Sequence, residues 1–205
     1  MTGGAVGRFI AFEGGEGCGK STQARLLAER LGAVLTREPG GTPIGAEIRG
    51  IVLAAEDNGL VDRAEALLMA ADRAQHVAAV VRPALAAGRH VVTDRYLPSS
   101  VAYQGDGRGL GAETVRGLSL WATEDLLPDL VVLLTVTDVE ARTRIGGAGR
   151  DRLEKAGADL HAAVARSYAA QAAADPDRWV VLDGGGTVAE VHTRVAAAVA
   201  ERLEL

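Results

Sequence analysis

Apolar and polar positions along the chain switch between two periods, and each switch marks the boundary of an element. Arg8 to Glu13 is a short apolar run that ends in a glycine-rich stretch. From Ser21 to Leu31 the apolar residues Ala24, Leu27, Ala28 and Leu31 recur at helical spacing, and Gly32 is placed to stop that helix. Ala33 to Thr36 reads as a second strand and Pro39-Gly40-Gly41 as a loop. Thr42 has the chemistry of an N-cap with Pro43 at the first helical position, opening a helix to about Ala55. Asp62 is read as the cap of a long helix reaching about Ala87, and His90 to Asp94 as the next strand. A helix from Ala112 to Glu124 precedes Leu130 to Val136, whose unbroken apolar run predicts a strand buried on both faces. Trp179 to Asp183 predicts the last strand and Val188 to Leu203 a last amphipathic helix. Strands interleaved with helices predict an α/β fold, a five-stranded parallel sheet flanked by helices on both faces. Ligands of such sheets sit at the carboxyl ends of the strands.

Composition narrows the function. A chain of 205 residues suits one domain, and 48% apolar with 24% charged residues is the balance of a folded globular protein. Only 3% of residues are aromatic, so aliphatic side chains must fill the core. A net charge of -5 argues against a nucleic-acid surface, and any anion site must be built locally. The single cysteine, Cys18, rules out an intramolecular disulfide, and the four histidines show no metal-ligand spacing. Residues 1–7 lack the features of a signal peptide and read as a flexible N-terminus, and no apolar run approaches the roughly 20 residues needed to span a membrane. The expected location is the cytoplasm.

The strongest local signal is Gly14-Gly15-Glu16-Gly17-Cys18-Gly19-Lys20-Ser21, which matches the phosphate-cradling pattern Gly-x4-Gly-Lys-Ser/Thr. Its glycines let backbone N–H groups face one anion while the following helix presents its positive end. Lys20 is placed to reach terminal phosphates, the Ser21 hydroxyl to ligate Mg²⁺, and Thr22 continues the loop into the helix. From this composition about 0.003 chance matches are expected in the whole chain, so nucleoside triphosphate binding is read directly from the motif. Asp94, closing the apolar run Val91-Val92-Thr93, puts a carboxylate where it can share the Mg²⁺ shell with Ser21. A GTPase would need an Asn-Lys-x-Asp motif, and the only Asn, Asn58, is followed by Gly59. A small kinase remains.

Three further runs identify the acceptor. Asp94-Arg95-Tyr96-Leu97-Pro98-Ser99-Ser100-Val101-Ala102-Tyr103-Gln104-Gly105, Arg37-Glu38-Pro39-Gly40-Gly41-Thr42 and Leu67-Leu68-Met69-Ala70-Ala71-Asp72-Arg73-Ala74-Gln75-His76 closely resemble those of thymidylate kinases, in the same order. The resemblance runs from Phe9 through Tyr168 and implies a phosphate-loop nucleoside monophosphate kinase fold, with transfer of the γ-phosphoryl of ATP to dTMP. It further implies that Arg37 and Arg95 hold the acceptor phosphate, that Arg73 bonds the thymine edge, and that Arg49 lies near the nucleoside. Glu38 belongs to the same acceptor turn. Ser100 and Gln104, four residues apart, are implied to contact the base; Tyr103 would crowd the sugar 2′ position, and Glu16 would bond the 3′-hydroxyl. Relatives stack the thymine on a Phe where this chain has Met69, a thioether worth roughly 0.3–1.5 kcal/mol against a ring in place of roughly 1–3 kcal/mol for aromatic stacking.

Arg144-Ile145-Gly146-Gly147-Ala148-Gly149-Arg150-Asp151-Arg152 resembles the short mobile lid of the family, here about residues 145–152. The acidic phosphate loop with a basic lid resembles the bacterial branch, which implies Arg150 as a catalytic arginine and Arg144 as an adenine contact. Relatives form homodimers through long helices. A phosphate monoester has a second pKa of about 6, so a dianionic nucleophile exists at pH 7 and no protein base is required. Catalysis then falls to Lys20, Asp94 with Mg²⁺, Arg95 and Arg150. A deoxynucleoside kinase would instead need a carboxylate base, for which Glu38 or Asp94 are the candidates. A regulatory protein that binds nucleotide without turnover is the third reading.

Overall fold

The computed structural model describes residues 7–54, 59–145 and 157–205. Five strands, β1 (Phe9–Glu13), β2 (Val34–Arg37), β3 (Val91–Asp94), β4 (Leu130–Thr135) and β5 (Trp179–Asp183), form one parallel sheet in the order β2-β3-β1-β4-β5. The order reverses on either side of β1, so a crevice opens at its carboxyl end, where the phosphate motif begins. Every residue of β1 is buried, and β4 is buried through Leu134. The edge strand β2 alternates half-buried with exposed positions, because only an interior strand has neighbours on all sides.

Alternate residues of β1 face opposite layers. Ile10 and Phe12 pack with Ala24 and Leu27 of α1 (Lys20–Leu31) and with Val191, Val195, Val199 and Leu203 of α9 (Val188–Leu203). Those four residues of α9 stand four apart, the spacing of a single buried stripe. Thr187 and Glu190 close a reciprocal capping box at its start. Phe9 and Ala11 face the other layer, meeting Val77, Val81, Tyr96 and Val101. There Phe9 and Tyr96 meet edge to face at 4.9 Å. Beside them, Val131 and Leu133 of β4 pack on Tyr103 and on Leu160, Val164 and Tyr168 of α8 (Ala158–Ala174).

Local signals largely hold, with shifts of one to three residues at the ends. Gly32 ends α1 in the left-handed conformation, with φ 61°. Thr42 caps α2 (Pro43–Val52) by accepting from Gly45 N, and α2 stops at Val52; Ala55 lies outside the described residues. Val61, not Asp62, is the N-cap of α3 (Asp62–His76), and Asp62 instead places its carboxylate in the positive first turn. The expected long helix exists but is not uniform. It widens into a π-helical turn at Val77–Val81 before α4 (Arg82–Ala86), just ahead of Pro83, whose ring cannot fit against a tight preceding turn. A second π-helical turn, Val101–Gly107, extends α5 (Leu97–Ser100). The remaining helices are α6 (Ala112–Thr123) and α7 (Asp138–Ile145). Gly7, placed with the flexible tail by its sequence, is buried, and a methyl group on it would lie 2.3 Å from the Arg89 carbonyl oxygen. Among the described residues no helix is long and apolar enough to cross a membrane.

Candidate active site

The phosphate motif joins β1 to α1, and two of its glycines are required by space as well as by conformation. Gly14 has φ 143°, and a methyl group there would sit 2.4 Å from the Leu134 carbonyl oxygen. Gly17 has φ 73°, and its methyl group would sit 2.7 Å from the Ala141 carbonyl oxygen on α7. Cys18 is buried and packs under this turn against Gly14. Gly19 stands at the N-cap of α1 without a side-chain cap, so the positive end of the helix carries no internal anion. Lys20 donates to the Gly15 carbonyl at 3.1 Å and lies 3.9 Å from Glu16. Ser21 donates its hydroxyl hydrogen to Asp94 Oδ2.

Two cavities meet at this loop. The larger, about 550 Å³, is walled by Glu16, Lys20, Ser21, Arg37, Arg49, Met69, Asp94, Arg95, Tyr103 and Gln104. The smaller, about 340 Å³, lies against the motif from Glu16 to Gln23, with Arg144, Gly184, Gly186 and Val188 opposite. Glu16, Lys20 and Ser21 line both. Arg144 lines the smaller cavity and donates to the carbonyls of Gly184 at 2.9 Å and Gly186 at 3.2 Å. The glycine loop after β5 is a wall that the motifs left unassigned, although Gly184-Gly185-Gly186 at a strand end is a visible sign of it.

Arg95 is the hub of the larger cavity. Its φ of 72° is a left-handed conformation that a non-glycine residue rarely holds, and such strain persists only where the surroundings fix it. Its backbone N–H donates to Phe12 O at 2.9 Å. Its guanidinium pairs with Glu16 at 2.5 Å, donates to Ser99 Oγ at 3.1 Å and Tyr168 Oη at 3.2 Å, and lies over the Tyr103 ring at 5.2 Å. Behind it Glu13, wholly buried, accepts from Tyr96 N, Ser99 Oγ and Tyr168 Oη at 2.8, 2.6 and 2.9 Å. Burial pushes the Glu13 carboxyl up, against the opposing charge of Arg95. Burial also pushes Glu16 up, but the charges of Lys20 and Arg95 outweigh it and hold the carboxyl below its ordinary value. Glu13, Ser99 and Tyr168 were not among the expected site residues; an acidic residue ending an apolar strand was the one sequence sign of Glu13.

Three of the expected substrate contacts have their side chains engaged by protein partners. Arg73 is entirely buried and does not line the cavity. It donates to Glu38 Oε2 at 2.7 Å, Ser119 Oγ at 3.1 Å, Tyr96 O at 3.2 Å and Ser100 Oγ at 3.1 Å. Ser100 is therefore spent on Arg73 and also stays behind the wall. Glu38 lines the cavity but has both oxygens engaged, the second by His76 Nδ1 at 2.8 Å, so its carboxylate is held in the wall by its protein partners. Arg37, Arg95 and Lys20 do share the hollow, and the Arg37 side chain forms no hydrogen bond or ion pair with the described residues. Arg49 lines it and donates to Pro39 O at 3.0 Å. Met69, Tyr103 and Gln104 line it too. Arg150 and the lid beyond Ile145 lie outside the described residues, as do residues 1–6.

Among the described residues four buried side-chain polar atoms lack a partner, and two of them, Asp94 Oδ1 and Gln104 Oε1, belong to residues of the larger cavity. Buried polar atoms cost free energy unless paired, so these two mark where a ligand is expected to supply partners. Ser21 and Asp94, hydrogen-bonded to each other, bring together a hydroxyl and a carboxylate whose Oδ1 lacks a hydrogen-bond partner, a donor set that suits a hard cation carrying phosphate oxygens. No cluster of three or more His, Cys, Asp or Glu able to hold a metal occurs among the described residues.

A phosphate cradle at the switch point of a parallel sheet, with a second cavity that shares its lysine, defines a phosphate-loop kinase of the nucleoside monophosphate class. The thymidylate kinase family model matches residues 12–195. A thymidylate kinase of Leifsonia xyli subsp. xyli is 54% identical over 196 residues, covering 92% of this chain and 92% of the relative. One from Clavibacter sepedonicus is 51% identical over 206 residues, covering 95% and 97%. The crystal structure of thymidylate kinase from Ehrlichia chaffeensis superposes with a TM-score of 0.77 at 29% identity, covering 94% of this chain and 97% of that one. The chain belongs to the thymidylate kinase family.

The buried wall also makes stability depend on pH. Asp72 accepts from Gly40 N at 3.0 Å while its Oδ2 is buried without a partner. Burial first, then the neighbouring charge of Glu38, pushes its carboxyl up from 3.8 to about 6. The native state then keeps a proton that the unfolded chain has released, so this residue lowers stability as pH rises from 3.8 to about 6. Asp72→Asn is therefore expected to stabilise the fold at pH 8 by roughly 1–3 kcal/mol and to change it little at pH 4. Urea melts of both proteins at the two pH values measure the difference; an equal effect at both would contradict this account.

Proposed function

We propose that this chain transfers the γ-phosphoryl group of ATP to dTMP, giving ADP and dTDP, a step of dTTP synthesis. The observation that carries the reading is that two cavities share Glu16, Lys20 and Ser21, so a triphosphate in the smaller and a monophosphate in the larger would meet at one lysine. The smaller cavity, with Arg144 and the glycine loop, is read as the donor site. The larger, with Arg37, Arg49, Arg95, Met69, Tyr103 and Gln104, is read as the acceptor site.

The protein's task is to align two polyanions and reduce their repulsion. Lys20 would neutralise the transferring group, and Arg95 and Arg37 would hold the acceptor phosphate, as the family resemblance implies. Ser21 and Asp94 would hold Mg²⁺, which when bound supplies further neutralisation of the phosphate oxygens. Glu16, held ionised by Lys20 and Arg95, is an acceptor suited to a sugar hydroxyl. Arg150 would act as the cis arginine of the lid. No general base is needed, and Glu38, with both oxygens engaged, is poorly placed to be one. Relatives' homodimers extend to this chain in the same reading: α6 packs on α3, and Trp121 and Leu67 of those helices are 80% and 59% exposed.

ADP release with dTMP and with thymidine, each with ATP and Mg²⁺, tests the reaction. Turnover of dTMP is expected, and turnover of thymidine alone would overturn the assignment in favour of a deoxynucleoside kinase. Met69→Phe is expected to lower the dTMP KM several-fold, since aromatic stacking on a base exceeds a thioether contact; an unchanged or higher KM would show that Met69 does not face the base. Sedimentation equilibrium is expected to give twice the chain mass of 21.2 kDa, and a monomer at micromolar concentration would remove the dimer.

A further inference from the structure

The amide of Gln104 is held from one side only. Gln104 is 1% exposed, lines the larger cavity, and sits in the π-helical turn Val101–Gly107. Its Nε2 donates to Glu65 Oε1 at 2.7 Å, and its Oε1 is buried with no partner in the protein. Glu65 is itself wholly buried in the first turn of α3. Arg108, just past the π-helical turn, lies 3.2 Å from Glu65 Oε2 and 3.4 Å from Asp62 Oδ1. A carboxylate accepts hydrogen bonds and cannot donate them, whereas a carboxamide can turn over and offer either end. Glu65 therefore leaves Gln104 a single orientation, with the amide hydrogen on α3 and the carbonyl oxygen at the other end of the amide, buried and without a protein partner.

We propose that Glu65, clamped by Arg108, is a positioning residue for base selection: it makes Gln104 a one-way acceptor that takes a pyrimidine with a ring N–H and refuses one whose ring nitrogen accepts. Thymine and uracil carry that N–H at N3; cytosine has a lone pair there, which would face the Gln104 oxygen and leave two acceptors opposed. A site built around one hydrogen bond rejects a ligand that lacks it strongly, because the buried group is then unpaired. The amide's direction, and with it the discrimination, is set from outside the cavity, by a residue that touches no substrate. The inference rests on the assignment of dTMP as acceptor.

Glu65→Gln tests it, because a second carboxamide can either donate or accept and so releases the constraint on Gln104. The ratio of kcat/KM for dTMP over dCMP is expected to fall at least tenfold in E65Q, through a raised dTMP KM, with the ATP KM unchanged. A ratio that stays constant while stability or both activities fall would show that Glu65 only supports the fold, and would overturn the proposal. The wild-type protein provides the second measurement should E65Q fail to fold. dTMP methylated at N3 is expected to lose at least a hundredfold in kcat/KM, and normal turnover of it would overturn the proposal equally. Absence of dTMP turnover by the wild-type protein would sink the reaction assignment and this inference with it, whereas an unmoved ratio sinks the inference alone.

Discussion

A cation must be fixed where two polyanions meet, inside a protein that is itself acidic, and Arg95 meets that demand. Its backbone is held in a left-handed conformation at the end of β3, and its side chain is braced by Glu16, Ser99, Tyr103 and Tyr168. These partners come from the phosphate loop, α5, the π-helical turn and α8, so four elements converge on one guanidinium. Removing one partner of such a buried charge leaves the other uncompensated, which costs more than the pair contributes when intact. Glu13 stands behind the assembly. Two hydroxyls, of Ser99 and Tyr168, separate its carboxylate from Arg95, leaving the outer face of the guanidinium to the cavity. The charge is thus anchored from the protein side by dipoles and kept available on the ligand side.

The wall of the acceptor cavity obeys the same logic at one remove. Glu38 lies between Arg73 and His76, and His76 in turn meets Thr36 Oγ1 at 2.7 Å. The network ties the loop after β2 to α3, and Arg73 carries it on to α5 and α6 through Ser100 and Ser119. Removing one member of such a buried pair is costly, because the remaining charge is then uncompensated. Arg37 and Arg49 line the hollow beside this network, Arg49 donating to Pro39 O.

How much of this was legible depended on the range of the interaction involved. The phosphate motif, the Gly32 stop and the Thr42 cap are local devices, encoded within a few neighbours, and they appear where their residues stand. The unbroken apolar run of β4 announced burial on both faces because only an interior strand can carry it. Arg73, Ser100 and Glu38 were expected to face substrate, and the motifs do bring them together. Which side of the wall each takes is decided by contacts spanning 27 to 46 residues, which no local pattern records. Ser100 and Gln104, four residues apart and both implied to contact the base, would share a face of an α-helix; the chain instead widens there to i→i+5 spacing, with Arg108 N on Tyr103 O, and Ser100 meets Arg73 while Gln104 lines the hollow. Glu65 gave no sign at all, since an acidic residue in a first helical turn is ordinary until Gln104 and Arg108 arrive beside it.

Gly17 and Ala141 leave each other too little clearance for even one added carbon. α7 thus rests directly on the tip of the phosphate loop. The contact works as a mechanical stop. The helix cannot come closer without displacing the backbone that would grip a triphosphate.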